Sequence, residues 1–399
     1  MTTIATPPSI AYLAQGRLRV KPPGAAPRTV ESAYANTLRE RAVRAQQKHS
    51  WKGSGDGGSP YGGAVLWGKA AAAESGEVPL AITSLCGGRS PGGLVYSLES
   101  GSLCALLESG GLGAEEQRLW NDHRTRLRHL AVAPETGDLA FAVLHENGTA
   151  NIGMKAAGES GIRELTEGDS FDTAPRWVPG ESGRLVFQSA GVGRNREGHF
   201  LALGPFAIQQ LDGTAGELTT RLTHPRYDYL APLARPDGGL LYIRRPYAAE
   251  ERFDLVRMLR DTVFFPFRLL FAGFQLLNFF TTLATGKPLT TAGGAKAREM
   301  NQRQMMIWGN LVRARQPARD EPPGVDLVPK SWELQELSAA GATRTLASGV
   351  LAYDAAPDGT IVYTNGNALF LLPPGGRPER LLEEGMIEQV FFVPPAAAA

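Results

Sequence analysis

Cysteine is scarce in this sequence, and the few histidines form no binding pattern. The 399 residues include two cysteines, Cys86 and Cys104, which are too few for a disulfide framework or a zinc site. On the first and third strands of one sheet they would lie about 9–10 Å apart, so we predict buried free thiols. The histidines lack the spacing of one helical face, so we predict no metal and no cofactor, although ligands converging from distant strands would escape this test. They are His49, His123, His129, His145, His199 and His224.

Charge is also low. Asp, Glu, Lys and Arg make up 20% of the residues and the formal net charge is +1, so nothing in the charge balance points to nucleic acid. The N-terminal segment MTTIATPPSIAYLAQG shows no basic region followed by an apolar one, so we expect no secretory signal and a cytoplasmic location. What is abundant is glycine (47) and proline (28), which favours many turns and short strands.

One pattern recurs along the chain: an apolar run, a turn rich in Pro and Gly, and a second apolar run. Its clearest copies are Tyr229–Tyr242 (YLAPLARPDGGLLY) and Leu351–Tyr363 (LAYDAAPDGTIVY). Looser copies are Leu130–Phe141 and Trp177–Phe187. Pro fixes φ and Asp-Gly suits a tight turn, so each copy predicts two antiparallel strands.

A second marker, Arg followed by Leu within one or two residues, precedes several of these turns at a nearly constant distance. The markers begin at Arg163, Arg221, Arg344 and Arg380, and lie 16, 15, 13 and 14 residues before Pro179, Pro236, Pro357 and Pro394. About four strands in ~40–45 residues is typical of one β-propeller blade. The turn prolines Pro91, Pro134, Pro179, Pro236, Pro357 and Pro394 predict six blades, or seven if the long gap before Pro357 hides another.

The two ends of the chain complement each other. Val390–Pro394 predicts an opening strand with no successor, and Ile10–Gly16 predicts a second strand with no predecessor. Placing both in one blade would close the ring and remove its sheet edges. We therefore predict one all-β propeller domain over residues 1–399.

The pairing of Arg-x-Leu with a later Pro-Asp-Gly resembles the PD40 (WD40-like) repeats of TolB-like β-propellers. The best match runs from Arg221-Leu222-Thr223 to Asp237-Gly238, and Asp358-Gly359 matches the second half. The resemblance covers most of the chain outside residues 32–69 and 248–328. It implies a propeller that serves as a binding platform, although such propellers also accompany peptidase and lyase activities.

Two segments fall outside the repeat. Ser32–His49 predicts a helix with Ser32 as N-cap, followed by a glycine-rich loop to residue 69. Residues 248–328 predict a hydrophobic helical insertion in a late blade, with one helix over Thr262–Ala284 and another over Ala295–Arg315.

The insertion supplies our candidate contact residues for a partner or membrane surface. They are Phe264, Phe265, Phe267, Phe271, Phe274, Phe279, Phe280, Met305, Met306 and Trp308. Three alternatives stay open: packing on the propeller, lying in a membrane interface, and docking into a partner protein. Pro266, Arg268 and Gln275 argue against a transmembrane span.

Catalytic signals are weak. Gly88-Arg89-Ser90-Pro91-Gly92 has nucleophile-elbow spacing, but Pro91 has no N–H to hold an oxyanion, so we predict no catalytic residues. Asp172 and Asp228 precede their turn prolines and would either line an axial channel, binding a cation or peptide amine, or cap a tight connection. The plainer capping role is favoured.

The sequence thus predicts a non-catalytic binding or scaffolding module for protein–protein interaction. The alternative is an enzyme or small-ligand receptor that uses the axial pocket. An Asp/His/Arg cluster at the axis would support that alternative, and small apolar residues there would argue against it.

Overall fold

The computed structural model describes residues 8–50, 80–90, 92–111, 115–247, 305–307, 310–312 and 327–393. The chain divides into two compact units, one formed by Met1–Tyr247 and Arg315–Ala399 and the other by Ala248–Ala314. The second unit begins where the sequence places the start of the insertion.

The elements follow the chain in this order. The first half contains β1 (Ile10–Ala14), β2 (Arg17–Lys21), β3 (Arg28–Thr29), α1 (Ala33–Ser50), β4 (Leu80–Gly87), β5 (Leu94–Ser100), β6 (Leu103–Ser109), β7 (Glu116–Asp122), β8 (Arg126–Val132), β9 (Leu139–Leu144), β10 (Ala150–Lys155), β11 (Arg163–Glu164), β12 (Ser170–Trp177) and β13 (Arg184–Arg194). The second half contains β14 (Phe200–Leu203), β15 (Ala207–Asp212), β16 (Glu217–Leu222), β17 (Tyr227–Ala234), β18 (Leu240–Pro246), β19 (Met305–Ile307), β20 (Asn310–Val312), β21 (Glu333–Leu337), β22 (Thr343–Ser348), β23 (Ala352–Ala355), β24 (Ile361–Thr364), β25 (Ala368–Leu372), β26 (Glu379–Glu383) and β27 (Ile387–Phe392).

Antiparallel four-stranded groups build the first unit. Four sheets have the orders β4-β5-β6-β7, β17-β18-β21-β22, β23-β24-β25-β26 and β27-β1-β2-β3. A nine-stranded sheet contains the groups β8-β9-β10-β11 and β12-β13-β15-β16, with β14 as an extra strand on β13. These two groups are joined by a single parallel bridge between Ala150 and Phe171.

The core lies between neighbouring groups. Val95 of β5 packs in one cluster with Phe141 of β9, and Ile208 of β15 packs in another with Leu240 of β18. Because both faces of these strands are covered, the strands are apolar along most of their length rather than strictly alternating. Burial of each such side chain contributes roughly 1.5–3 kcal/mol.

The predicted hairpins are confirmed. The Tyr229–Tyr242 copy forms β17 and β18, which pair antiparallel. In its turn, Gly238 has φ of 81° and donates its N–H to Arg235 O at 3.0 Å, while Asp237 Oδ1 accepts from Gly239 N at 2.9 Å. A positive φ is the backbone conformation that glycine adopts without strain, which explains the Asp-Gly signature. The other three copies form the pairs β8–β9, β12–β13 and β23–β24.

The arginine markers all lie in the last strand of a group. Arg163 is in β11, Arg221 in β16, Arg344 in β22 and Arg380 in β26. The short connection from that strand to the first strand of the next group sets the nearly constant distance between marker and turn proline.

Strands from both ends of the described chain share one sheet. β1 pairs antiparallel with β27, with Tyr12 opposite Val390. Glu384 joins the two ends further, because it accepts hydrogen bonds from Tyr12 Oη and Arg19 Nη1, both at 2.6 Å.

The N-terminal helix is confirmed, including its cap. Ser32 Oγ accepts from Ala35 N at 3.1 Å, which satisfies one of the free N–H groups of the first turn of α1. Glu116 of β7 docks this end of the helix by accepting from Ser32 Oγ and Tyr34 N, both at 2.7 Å. Residues 51–79 lie outside the described residues.

The second unit corrects one prediction. Met305–Ile307 and Asn310–Val312 form a two-stranded antiparallel hairpin, so the helix predicted over Ala295–Arg315 is wrong at these residues. Ile307 and Val312 are β-branched, and the two residues between the paired strands include Gly309, a residue type common in hairpin turns, so local propensity favours strands here.

Candidate functional site

Hydrogen bonds link the first strands of successive groups. Leu85 N of β4 donates to Gln389 Oε1 of β27, and Leu130 N of β8 donates to Ser84 Oγ of β4, both at 3.0 Å. Trp177 Nε1 of β12 donates to Ala131 O of β8 at 3.0 Å. Tyr353 Oη of β23 donates to Ala231 O of β17 at 2.7 Å. Between β12 and β17 the link is made by β13, since Gln188 Oε1 accepts from Ala231 N at 2.8 Å. The last link returns to the start, because Asp354 Oδ2 of β23 accepts from Phe392 N of β27 at 2.9 Å.

Three of these first strands carry the same backbone irregularity. His129 in β8, Ala174 in β12 and Ala231 in β17 have φ of 53°, 53° and 48°, each within a register shift of its strand. A non-glycine residue in this region costs on the order of 1–3 kcal/mol. Bulges of this kind re-aim the side chains that follow them, and Arg176 comes directly after the shift in β12.

Arg176 lies where several first strands meet. Its Nη1 is 3.7 Å from Oδ1 of Asp354 in β23, and its guanidinium carbon is 5.4 Å from the ring centre of Phe391 in β27. The Asp354 side chain is 6% exposed, whereas the Arg176 side chain is 28% exposed, so solvent reaches Arg176. Within the described residues, Asp354 is its only ion-pair partner, and its guanidinium donates no hydrogen bond.

Arg128, which lies near the same first strands, is held much more tightly. Arg128 of β8 donates to both oxygens of Glu99, to Thr83 Oγ1 at 3.0 Å and to Leu127 O at 3.0 Å. A guanidinium that is held only loosely, as in Arg176, retains donors for another acceptor.

Two ionisable groups near Arg176 are poorly suited to acid–base or nucleophilic chemistry. Desolvation, reinforced by Arg128 and Arg176, lowers the pKa of His129 to about 3, so its ring is neutral and a weak base at pH 7. Burial raises the pKa of the Cys86 thiol to about 12, which leaves almost no thiolate. Burial also raises the pKa of the Asp354 carboxyl, and the charge of Arg176 offsets only part of this shift.

The two predicted axial aspartates are buried and hydrogen-bonded. Asp172 accepts from Ser189 Oγ at 2.6 Å. Asp228 accepts from Phe206 N at 2.9 Å and from Arg245 Nε at 2.7 Å. Their role in an axial channel stays a prediction.

Sequence reasoning missed Arg176, Asp354 and Phe391. A signal was available for all three, because Arg176, Asp354 and Phe391 each stand three residues before a turn proline: Pro179, Pro357 and Pro394. Equivalent positions of a repeat point to equivalent places in the fold, so opposite charges at this position indicate two side chains that face a common centre.

The predicted contact residues of the insertion fall mostly outside the described residues. Met305 and Met306 are in β19. Phe264, Phe265, Phe267, Phe271, Phe274, Phe279, Phe280 and Trp308 lie outside the described part, so contact with a partner or membrane stays a prediction. Across the described ranges, no helix is long and apolar enough to cross a membrane, and no three His, Cys, Asp or Glu residues are grouped to hold a metal ion.

Comparison with known proteins supports the fold. No family model and no curated protein matches the sequence. Among solved structures, TolB from Acinetobacter baumannii matches with a TM-score of 0.50 and 12% identity, covering 97% of this chain and 67% of that one. A chain of the nidogen/laminin complex matches with a TM-score of 0.47, 8% identity and coverages of 96% and 98%. A putative TolB from Agrobacterium tumefaciens matches with a TM-score of 0.40, 13% identity and coverages of 78% and 83%. Identities this low bear on the fold alone, and the chain has the fold of a TolB-like β-propeller.

Proposed function

We propose that the first unit is a ring of six blades, closed by the pairing of β1 with β27, and that it acts as a non-catalytic binding module. The ring is supported by the hydrogen bonds that connect the first strands and return from Asp354 to Phe392. In this arrangement β27, β4, β8, β12, β17 and β23 surround the axis, and Arg176 projects into it.

The observation that carries the binding role is the axial group of Arg176, Asp354 and His129. An Asp/His/Arg cluster was the feature expected of the alternative drawn from the sequence, so it favours a receptor that binds its ligand in the axial pocket over a scaffold that binds elsewhere. The low pKa of His129 and the high pKa of Cys86 remove the obvious base and nucleophile, so this group favours binding over catalysis.

A peptide library tests this proposal. The purified chain is immobilised, peptides are selected from a random library, and each selected peptide is measured against a Glu388→Lys variant. Glu388 is in β27, and its pKa is raised by burial and lowered in part by the charge of Arg128 of β8, so the substitution reverses an axial charge without touching Arg176. Arg380→Gln, on the exposed outer strand β26, is the control.

We expect the selected peptides to bind the control normally and the Glu388→Lys variant with an affinity altered at least tenfold, tighter for acidic peptides and weaker for basic ones. Equal binding to both variants would place the contact elsewhere. If the protein hydrolysed members of a peptide or ester panel and the His129→Asn variant did not, the site would be catalytic and the proposal of a binding module would be wrong. Asn is chosen because it tolerates the left-handed backbone conformation of residue 129.

The insertion supports a separate proposal, contact with a protein partner or a membrane surface. Flotation with anionic liposomes compares the intact chain with one in which residues 254–315 are replaced by a Gly/Ser linker. Flotation of the intact chain alone supports membrane contact, and failure of both to float, with a folded and monomeric deletion variant, favours a protein partner.

A further inference from the structure

We propose that the axial site binds a carboxylate, which docks on the Nε–Nη2 edge of Arg176. This inference rests on the proposed binding role and specifies its ligand: an acidic peptide group held by one guanidinium.

The geometry leaves that edge open. The guanidinium carbon of Arg176 lies over the Phe391 ring, 5.4 Å from its centre, and this contact with the ring uses no oxygen acceptor. The shortest approach of Asp354 joins its Oδ1 to Nη1 at 3.7 Å, which is too long for a hydrogen bond, and among the described residues no hydrogen bond occupies Nε or Nη2. Nε and Nη2 therefore keep a parallel pair of donors, the arrangement that binds both oxygens of a carboxylate.

Contrast with Arg245 shows that the open edge is not a general feature of arginines packed on aromatic rings. Arg245 stacks on Trp332 at 4.7 Å, yet its Nε donates to Asp228 Oδ2 at 2.7 Å and its side chain is 6% exposed. Arg245 is a buried arginine whose Nε is hydrogen-bonded to a carboxylate. Arg176 also lies over an aromatic ring, but its carboxylate partner is beyond hydrogen-bond distance and its side chain contacts solvent.

Charge favours a monoanion over a phosphate group. The positive charge of Arg176 is already opposed by Asp354, Arg128 is matched by Glu99, and His129 is neutral at pH 7. A doubly charged phosphate would meet one partly compensated cation, whereas a carboxylate adds a single negative charge and matches the two-donor fork. The apolar ring of Phe391 also suits the methylene groups next to a carboxylate.

The first test uses acetate as probe. The Arg176 Nε–H signal is identified in the ¹⁵N spectrum by its loss in Arg176→Lys, and is then followed during titration with sodium acetate, sodium chloride or phosphate at fixed ionic strength and pH 7. We expect a saturable shift with acetate and a weaker response to chloride and to phosphate. An equal response to all three salts would contradict a carboxylate site.

The second test uses the selected peptides and compares carboxylate sources. Each peptide is made with its Glu or Asp residues changed to Gln or Asn, and with its C-terminus free or amidated. We expect one of these changes to weaken binding at least tenfold, and we expect Arg176→Gln to cause the same loss and Arg176→Lys a smaller one. Arg344→Gln, an exposed arginine on β22 with a side chain 67% exposed, is the matched control.

The outcomes separate this inference from the binding role. If peptides bind the axis, as shown by an altered affinity for Glu388→Lys, but ignore both Arg176 variants, the carboxylate site is wrong and the binding role stands. If no library peptide binds yet acetate saturates the Arg176 signal, the carboxylate site stands and the peptide-binding role is wrong. Thermal unfolding of Arg176→Gln within a few degrees of the parent establishes that any loss is not due to misfolding.

Discussion

The pair formed by Asp228 and Arg245 gives the sharpest test of the structure. Their side chains are 3% and 6% exposed, and Arg245 Nε donates to Asp228 Oδ2 at 2.7 Å. Trp332 covers the guanidinium at 4.7 Å, so Arg245 has no short route to solvent. Asp228→Asn keeps the volume and the acceptor for Phe206 N, but it removes the charge that compensates Arg245.

The expected loss follows from leaving a buried charge without its partner, which costs about 3–5 kcal/mol. In equilibrium urea unfolding, the free energy of unfolding falls by about 3 kcal/mol per M urea, so the unfolding midpoint of the variant should drop by roughly 1–2 M. The double variant Asp228→Asn/Arg245→Met should recover most of this loss, because neither charge is then buried.

A loss below about 1 kcal/mol for Asp228→Asn, or a double variant as unstable as the single one, would refute the buried pair. If Asp228→Asn instead abolished peptide binding at unchanged stability, Asp228 would act in the axial channel as the sequence suggested, and its role in the core would be wrong.

Three further predictions concern protonation, the helix cap and the thiols. Burial raises the pKa of Asp354, and its charged form repels a bound carboxylate, so acetate binding at Arg176 should tighten as the pH falls through the range in which Asp354 takes up its proton; Asp354→Asn should bind more tightly with no such dependence, and a flat profile in the parent would contradict the contact. Ser32→Ala should cost about 0.5–2 kcal/mol in urea unfolding and speed proteolysis within α1, and unchanged cleavage would argue against the cap. Cys86 and Cys104 should react with a disulfide reagent at pH 8 only after unfolding, since burial raises their pKa values to about 12 and about 11; rapid reaction of the native protein would contradict their burial.

The fold was predictable from the sequence where local chemistry decides it. The Pro-Asp-Gly sequences that begin at Pro236 and Pro357 favour a tight turn whatever surrounds them, so both hairpins could be predicted from a few adjacent residues. The Arg markers worked for the same reason, since each lies in a last strand at a short distance from the next turn. Ser32 was predictable as a cap because a cap depends on one side chain and the next three residues.

The candidate site was not predictable in the same way. Arg176, Asp354 and Phe391 come from three distant strands, and no local pattern shows that a guanidinium will meet a carboxylate and a ring. Their equivalent spacing before turn prolines hinted at a shared position without revealing the contact. The helix predicted at Met305–Ile307 was wrong for a different reason. A short apolar run suits both helix and strand, and pairing with Asn310–Val312 decides between them.

The pairing of β1 with β27 has a consequence for how this protein is made. Tyr12 and Glu384, which bond across this junction, are 372 residues apart, so closing that loop costs about 5 kcal/mol in chain entropy beyond a constant. At about 5–20 residues per second, ribosomes need about 20–75 s to deliver the second partner after the first. Throughout that interval β1 has an unpaired edge of the kind that recruits foreign strands. The edge of β1 that pairs with β27 thus stays unprotected until β27 has been made, and the nascent chain is open to misassembly for the whole of that interval.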